Sequence, residues 1–206
     1  REVVEFVDLP GQHAGVSFRS AGDPILYINN PPGVPAAVRR KTLDGLRALN
    51  ELTYQQVGDP ETRTRIEQYE LAFRMQSSVP ELTDLSGESE ATLALYGPNV
   101  RKPGSFAANC LLARRMAERG VRFIQLYHRD WDHHNDLKKF VGVCAGACDR
   151  ASAALVTDLK QRGMLDETLI LWGGEFGRTP MAQGSGRDHH IKGYSLFMCG
   201  GGLRKG

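Results

Sequence analysis

Two short apolar runs flank one long helical stripe, and that arrangement limits the fold more than any other feature of the chain. The runs are Val121-Arg122-Phe123-Ile124-Gln125-Leu126-Tyr127 and Thr168-Leu169-Ile170-Leu171-Trp172. Between them Leu137, Val141, Cys144, Cys148, Ala151, Leu155 and Leu159 recur at gaps of three and four, the spacing of a helix that buries one face. Gly163 is placed to stop that helix. A strand, a crossover helix and a second apolar strand predict a parallel sheet covered on both faces. Residues 105–119 add an amphipathic helix with Phe106, Cys110 and Ala113 or Ala117 inward, ended by Gly120. Residues 194–198 read as one more strand.

The preceding chain has a different character. Residues 36–57 read as a helix through Leu43, Leu46, Leu49 and Leu52, weakened by Gly45. Asp59-Pro60-Glu61 is a helix start, with a capping carboxylate, a proline at the first helical position and an acid in the first turn. The helix that follows places Ile66, Tyr69 and Phe73 on one face and is expected to end before Pro80. Residues 35–104 are thus expected to hold a helical hairpin without chemistry of its own. Residues 1–34 are rich in Gly, Pro and Asn and read as irregular, with one short strand at Ile25–Ile28. The domain reading is therefore an irregular segment (1–34), a helical hairpin insertion (35–104) and an α/β part (105–206).

Composition narrows the functional classes. Hydrophobic residues at 41% and charged residues at 24% suit a globular chain. A net charge of +2 gives no reason to expect nucleic acid or a membrane surface as partner. No membrane span is expected in this segment. Cys110, Cys144, Cys148 and Cys199 form no CxxC pair, so they read as small apolar packing residues. The chain opens on Arg1 rather than Met and closes in glycines, so a piece of a longer protein is expected.

The chemistry gathers just after the strands. The first strand runs into His128-Arg129-Asp130-Trp131-Asp132-His133-His134-Asn135, the second into Gly173-Gly174-Glu175-Phe176-Gly177-Arg178-Thr179-Pro180, and Gly186-Arg187-Asp188-His189-His190 follows. In open α/β sheets such loops build sites at the carboxyl ends of strands. Five of the six histidines lie in the first and third of these segments, each beside carboxylates. Imidazole with carboxylate suits zinc, manganese or iron, whereas carboxylates alone suit magnesium or calcium. The plainer alternative is that Asp132 and Asp188 cap turns and the histidines are solvated. Arg178 and Arg187 stand beside these groups, where a guanidinium could hold a phosphate or sulfate, or pair with Asp188 or Glu175.

These segments also carry a resemblance. Trp131-Asp132-His133-His134, the run from Leu165 to Pro180 with its Glu175-Phe176-Gly177-Arg178-Thr179-Pro180, and Gly186-Arg187-Asp188-His189-His190 resemble the bacterial domain of unknown function 1501 family. The Asn-Pro-Pro-Gly and Arg-Gly-Val-Arg-Phe-Ile-Gln stretches extend the resemblance over nearly the whole chain, as the C-terminal half of a longer protein. That family is sulfatase-like and grouped with the alkaline phosphatase superfamily. The resemblance implies an alkaline phosphatase/sulfatase-like parallel sheet with flanking helices, incomplete at its N-terminus, plus the helical hairpin.

The resemblance further implies Asp132, His134, Glu175 and His189 as metal ligands, with His133, Asp188 and His190 as additional neighbours. Phe176 stands where the superfamily has a ligand histidine, which puts a second metal in doubt. The implied metal is divalent, zinc or manganese before calcium or magnesium. The implied nucleophile lies upstream of this chain. Cys110 and Arg114 have the spacing of a sulfatase signature but lack its proline and serine. The expected activity is metal-dependent hydrolysis of a small-molecule or polysaccharide phosphate or sulfate ester. The expected compartment is extracytoplasmic, periplasmic or secreted. A non-catalytic binding or scaffold protein that retains the fold is the competing expectation.

Overall fold

The computed structural model describes residues 4–7, 16–19, 24–25, 29–174 and 176–204. In chain order the elements are β1 (Val4–Val7), β2 (Val16–Phe18), α1 (Ala36–Val57), α2 (Pro60–Thr83), α3 (Glu90–Tyr96), α4 (Phe106–Glu118), β3 (Phe123–Leu126), α5 (Leu137–Gln161), β4 (Leu169–Gly173), β5 (Gly177–Gln183), β6 (Gly186–His190) and β7 (Leu196–Gly200). A single 3-10 turn, Leu165–Glu167, precedes β4. The chain is thus mixed helix and strand.

The helix starts follow local chemistry. Asp59, Ser89 and Ser105 cap α2, α3 and α4 by accepting from the backbone N–H of Glu61, Thr92 and Ala108. Gly58, Gly120 and Gly163 follow α1, α4 and α5 with positive φ, where a side chain would be strained. α2 does not stop at Pro80 but continues to Thr83. Val79 and Leu82, on either side of that proline, are buried in one cluster with Met75, Met116 and Phe18. Their packing offsets the backbone bond that the proline cannot make. On α1 only Leu43 is buried; Leu49 and Leu52 are exposed, so the spacing of three drifts off the contact face.

The core lies between α3, α4 and α5. Leu93, Tyr96, Phe106, Cys110, Leu111, Cys148 and Ala151 form its main cluster. Cys110, Cys144 and Cys148 are buried free thiols and Cys199 is half-buried, in keeping with packing roles. By length and composition α5 could cross a membrane. One face of it packs into the core, with Cys144, Cys148, Ala151, Ala154, Asp158 and Leu159 buried.

The core also holds a buried charge network. The Arg114 side chain is only 2% exposed. It pairs with Glu88 at 2.5 Å, Glu118 at 2.6 Å and Asp158 at 3.0 Å. Tyr96 donates its hydroxyl to Asp158 at 3.0 Å. Arg115 donates to the carbonyls of Leu82 and Glu81 in the last turn of α2.

The strands pair otherwise than the order of elements predicts. β1 pairs antiparallel with both β2 and β3, β4 with β7, and β5 with β6. The expected parallel pairing in residues 105–206 is absent among the described residues. The helix between β3 and β4 is present, but the two strands do not pair; they border one cleft of about 1750 Å³, walled by α4 and α5. Among the described residues β3 and β4 are both end strands of their sheets, each with one unpaired edge. Residues 4–7 and 16–18 are strands where the composition suggested irregular chain. The strand expected at Ile25–Ile28 falls largely on 26–28, outside the described residues; Ile25 itself sits in a bend.

Removing the Arg114 charge would strand Glu88 and Asp158 in the interior. Arg114→Met is expected to lower unfolding stability by about 3–5 kcal/mol, read from the urea midpoint at unchanged slope. A loss below about 1 kcal/mol would show that the network is solvated.

Candidate metal centre

The site is assembled by a loop and a hairpin. The loop follows β3 and carries Asp132 to Asn135. Asp130 lies at φ +68°, a left-handed backbone that non-glycine residues seldom adopt. Its carbonyl accepts from Cys144 Sγ at 3.0 Å, which ties the loop to α5. Trp131 turns inward, donates from Nε1 to His128 Nδ1 at 2.8 Å and meets Trp172 edge-on. His133 turns inward as well. It is 7% exposed, stacks on Phe140, and its Nε2 has no hydrogen-bond partner among the described residues. Asp132 and His134 remain accessible.

The hairpin is β5 and β6. Pro180 sits within β5, where a proline would break a regular ladder. The register shifts between Arg178 and Ala182, and this irregularity accommodates it. The hairpin tip is bonded to the loop through the main chain. Arg187 N–H donates to the His133 carbonyl at 3.0 Å, and Leu137 N–H donates to the Ser185 carbonyl at 3.2 Å. The Ser185 hydroxyl accepts from Asp136 N–H at 2.7 Å. A side chain at Gly186 would lie 2.2 Å from the His133 carbonyl oxygen. This approach is possible only without a Cβ.

That docking brings three predicted ligands together. His134 Nε2 and His189 Nε2 each lie 2.9 Å from Asp132 Oδ1, and 3.1 Å from one another. Two ligand atoms bound to one ion at about 2.0–2.2 Å are separated by roughly 3 Å, depending on the angle between them. The chemistry of the set, two imidazoles and one carboxylate, fits a divalent transition metal. A three-ligand set leaves coordination positions open to water or substrate.

Arg178 closes one side of the cluster. Its guanidinium lies 2.6 Å from Asp132 Oδ1 and over the Phe176 ring. The Phe176 ring in turn packs on His189 at 4.6 Å. His189 and Arg178 hold the Asp132 carboxyl down to about 2. Because this value is depressed, the contribution of the ionised group is present above the ordinary carboxylate range. It is lost only as pH falls toward about 2.

The other predicted residues take different places. His189 and His190 lie on β6 rather than in a loop. Arg187 directs its guanidinium to the Thr179 carbonyl at 3.3 Å, across the hairpin. Asp188 accepts from His189 N–H at 2.7 Å. Glu175 lies outside the described residues. One neighbour escaped sequence reasoning: the Gln183 Oε1 atom contacts His134 Nδ1. No spacing signal connects Gln183 to His134, because the hairpin fold alone brings them together.

Residues 9–206 match the family described as Protein of unknown function (DUF1501). No curated protein and no solved structure matches the chain.

The tight approach at Gly186 sets a test. Gly186→Ala must push the hairpin away from the loop and separate His189 from Asp132 and His134. The expected result is about 1–3 kcal/mol of destabilisation and at least a tenfold loss of zinc or manganese affinity by calorimetry. Unchanged affinity would mean that the hairpin does not position His189.

Proposed function

The chain belongs to the DUF1501 family of proteins of unknown function, and on that premise we propose that it is the C-terminal metal-binding part of a hydrolase of phosphate or sulfate esters. The observation that carries this reading is the meeting of Asp132, His134 and His189 within 3.1 Å of one another, beside Arg178. A divalent metal there would polarise an ester oxygen and lower the pKa of an attacking group. Asp132, His134 and His189 would hold it, and Glu175 joins them on the resemblance alone. Arg178 reaches the same carboxylate oxygen as the histidines, so its guanidinium is within reach of an anion bound at the open positions. Arginine offers such an anion paired donors. Phe176 forms an apolar wall against His189, which limits water on that side. The nucleophile is assigned to a segment upstream of this chain, and an extracytoplasmic compartment belongs to the same reading.

The finer fold belongs here too. We propose that the cleft between β3 and β4 is where further strands of an alkaline phosphatase-like parallel sheet lie. The support is the pair of strand edges left unpaired among the described residues and the exposed Leu169, Leu171 and Trp172 along the cleft. Apolar groups and unpaired backbone edges of this kind call for cover.

One observation favours the second reading, a non-catalytic binding or scaffold protein. Phe176 places a ring, not a ligand, against the cluster.

Metal titration separates the site from its absence. Zinc or manganese binding should weaken at least a hundredfold in Asp132→Ala and in His189→Ala, since each removes a ligand. The full-length protein loaded with metal should hydrolyse an aryl phosphate, phosphodiester or sulfate, and the same substitutions should abolish that turnover. Metal binding with no turnover on any ester would favour the scaffold reading. Binding that survives both substitutions would remove the metal centre from this position.

A further inference from the structure

A histidine binds a metal through one ring nitrogen only if that nitrogen carries a lone pair, and the other nitrogen then carries the proton. At His134 the two nitrogens have different neighbours. Nε2 faces Asp132 Oδ1 and His189 Nε2. Nδ1 faces the side-chain carbonyl oxygen of Gln183. A carbonyl oxygen only accepts, so Gln183 Oε1 can hold a proton on Nδ1, while Asp132 Oδ1 at 2.9 Å can equally accept one from Nε2. A metal bound at Nε2 removes that second choice and leaves the ring proton on Nδ1, facing Gln183. Gln183 is the last residue of β5, opposite Gly186 in the ladder. The hairpin that delivers His189 therefore also delivers this amide.

We propose that Gln183 is a positioning residue that fixes the tautomer and ring orientation of His134, so that Nε2 is the metal-binding atom. The inference rests on the metal reading of the cluster, and it adds a residue that the ligand set does not contain. Outer partners of this kind raise the basicity of the ligating nitrogen and stop the ring from turning. Gln183 is exposed, so water competes for the same proton. The effect should therefore lie toward the low end of the 10- to 100-fold range typical of such partners.

Two measurements on the same chain test it. The first is nitrogen-detected magnetic resonance of the histidine rings in the zinc-loaded chain, which reports which nitrogen of His134 is protonated. With zinc bound the wild-type ring should carry its proton on Nδ1, and Gln183→Leu should give a mixture of ring states. The second is zinc affinity by calorimetry. Gln183→Leu should weaken it about tenfold, whereas Gln183→Glu, which keeps an acceptor, should match or exceed the wild type. Thermal unfolding of all three proteins separates this effect from loss of fold, with near-equal midpoints expected. A wild-type His134 protonated on Nε2 with zinc bound, or a leucine variant with unchanged affinity, would overturn the proposal. Zinc binding indifferent to Asp132→Ala would instead strike the metal reading on which the proposal rests.

Discussion

The buried guanidinium of Arg114 is the constraint on which the rest of the structure depends. A charge that is 98% withdrawn from water is costly unless every side of it is paired. Here Glu88 comes from the segment before α3, Glu118 from α4 itself and Asp158 from α5. The three carboxylates can reach one guanidinium only if α3, α4 and α5 hold fixed positions. Arg115 extends the same logic to α2 by bonding the carbonyls at its end. Pairing of this kind adds little net stability over an apolar core, but it penalises every other arrangement of these helices. Arg162 adds an outer layer, bonding Asp158 and Glu118 from the end of α5.

The cluster of Asp132, His134 and His189 stands on that frame. α5 is fixed at its far end by Asp158 and presents its first turns to the loop after β3. Cys144 holds the Asp130 carbonyl, and Asp136 N–H at the start of the helix donates to Ser185 of the hairpin. The loop and the hairpin are therefore both tied to one helix. The three donor atoms lie near 3 Å from each other where the loop and the hairpin are joined largely by main-chain bonds, which cannot be lost through rotamer changes. Arg178 and the histidines balance the Asp132 carboxylate, and this lowers the repulsion that an isolated anion would meet.

How much of this was legible in the sequence follows from the range of each interaction. The stripe from Leu137 to Leu159 and the cap at Asp59 are local patterns, and the helices formed where the patterns lie. Pro80 was misjudged because the burial of Val79 and Leu82 depends on α2 meeting α4, which no local pattern records. The strand order was misjudged because an apolar run fixes a strand but not its partner. β3 pairs with β1, which lies far away in sequence, while the expected partner β4 pairs with β7. Clustering of Asp and His was readable as a metal site, and the family resemblance singled out Asp132, His134, Glu175 and His189 within it. Gln183 was not, since a glutamine carries no signal until the hairpin is folded. Gly184 and Gly186 stood in plain view, yet their role needs the loop they touch.

The cleft and the cluster share walls, and this ties the two open features of the molecule together. Asp132, Phe176 and Arg178 line the cleft along with Leu171 and Trp172. Trp131 bridges them, with its ring against Trp172 on one side and Asp132 next along the chain. A group that filled the apolar part of the cleft would therefore press on β4 and Trp131, and so on the backbone that aims Asp132. Excluding water there would also strengthen the attraction between Arg178 and an anion, because charge interactions grow as the local dielectric falls. The low pKa of the Asp132 carboxyl comes from its contacts with His189 and Arg178. The geometry of the cluster is built into the loop and hairpin, while the strength of the electrostatic field around it depends on how much water the neighbouring cleft admits.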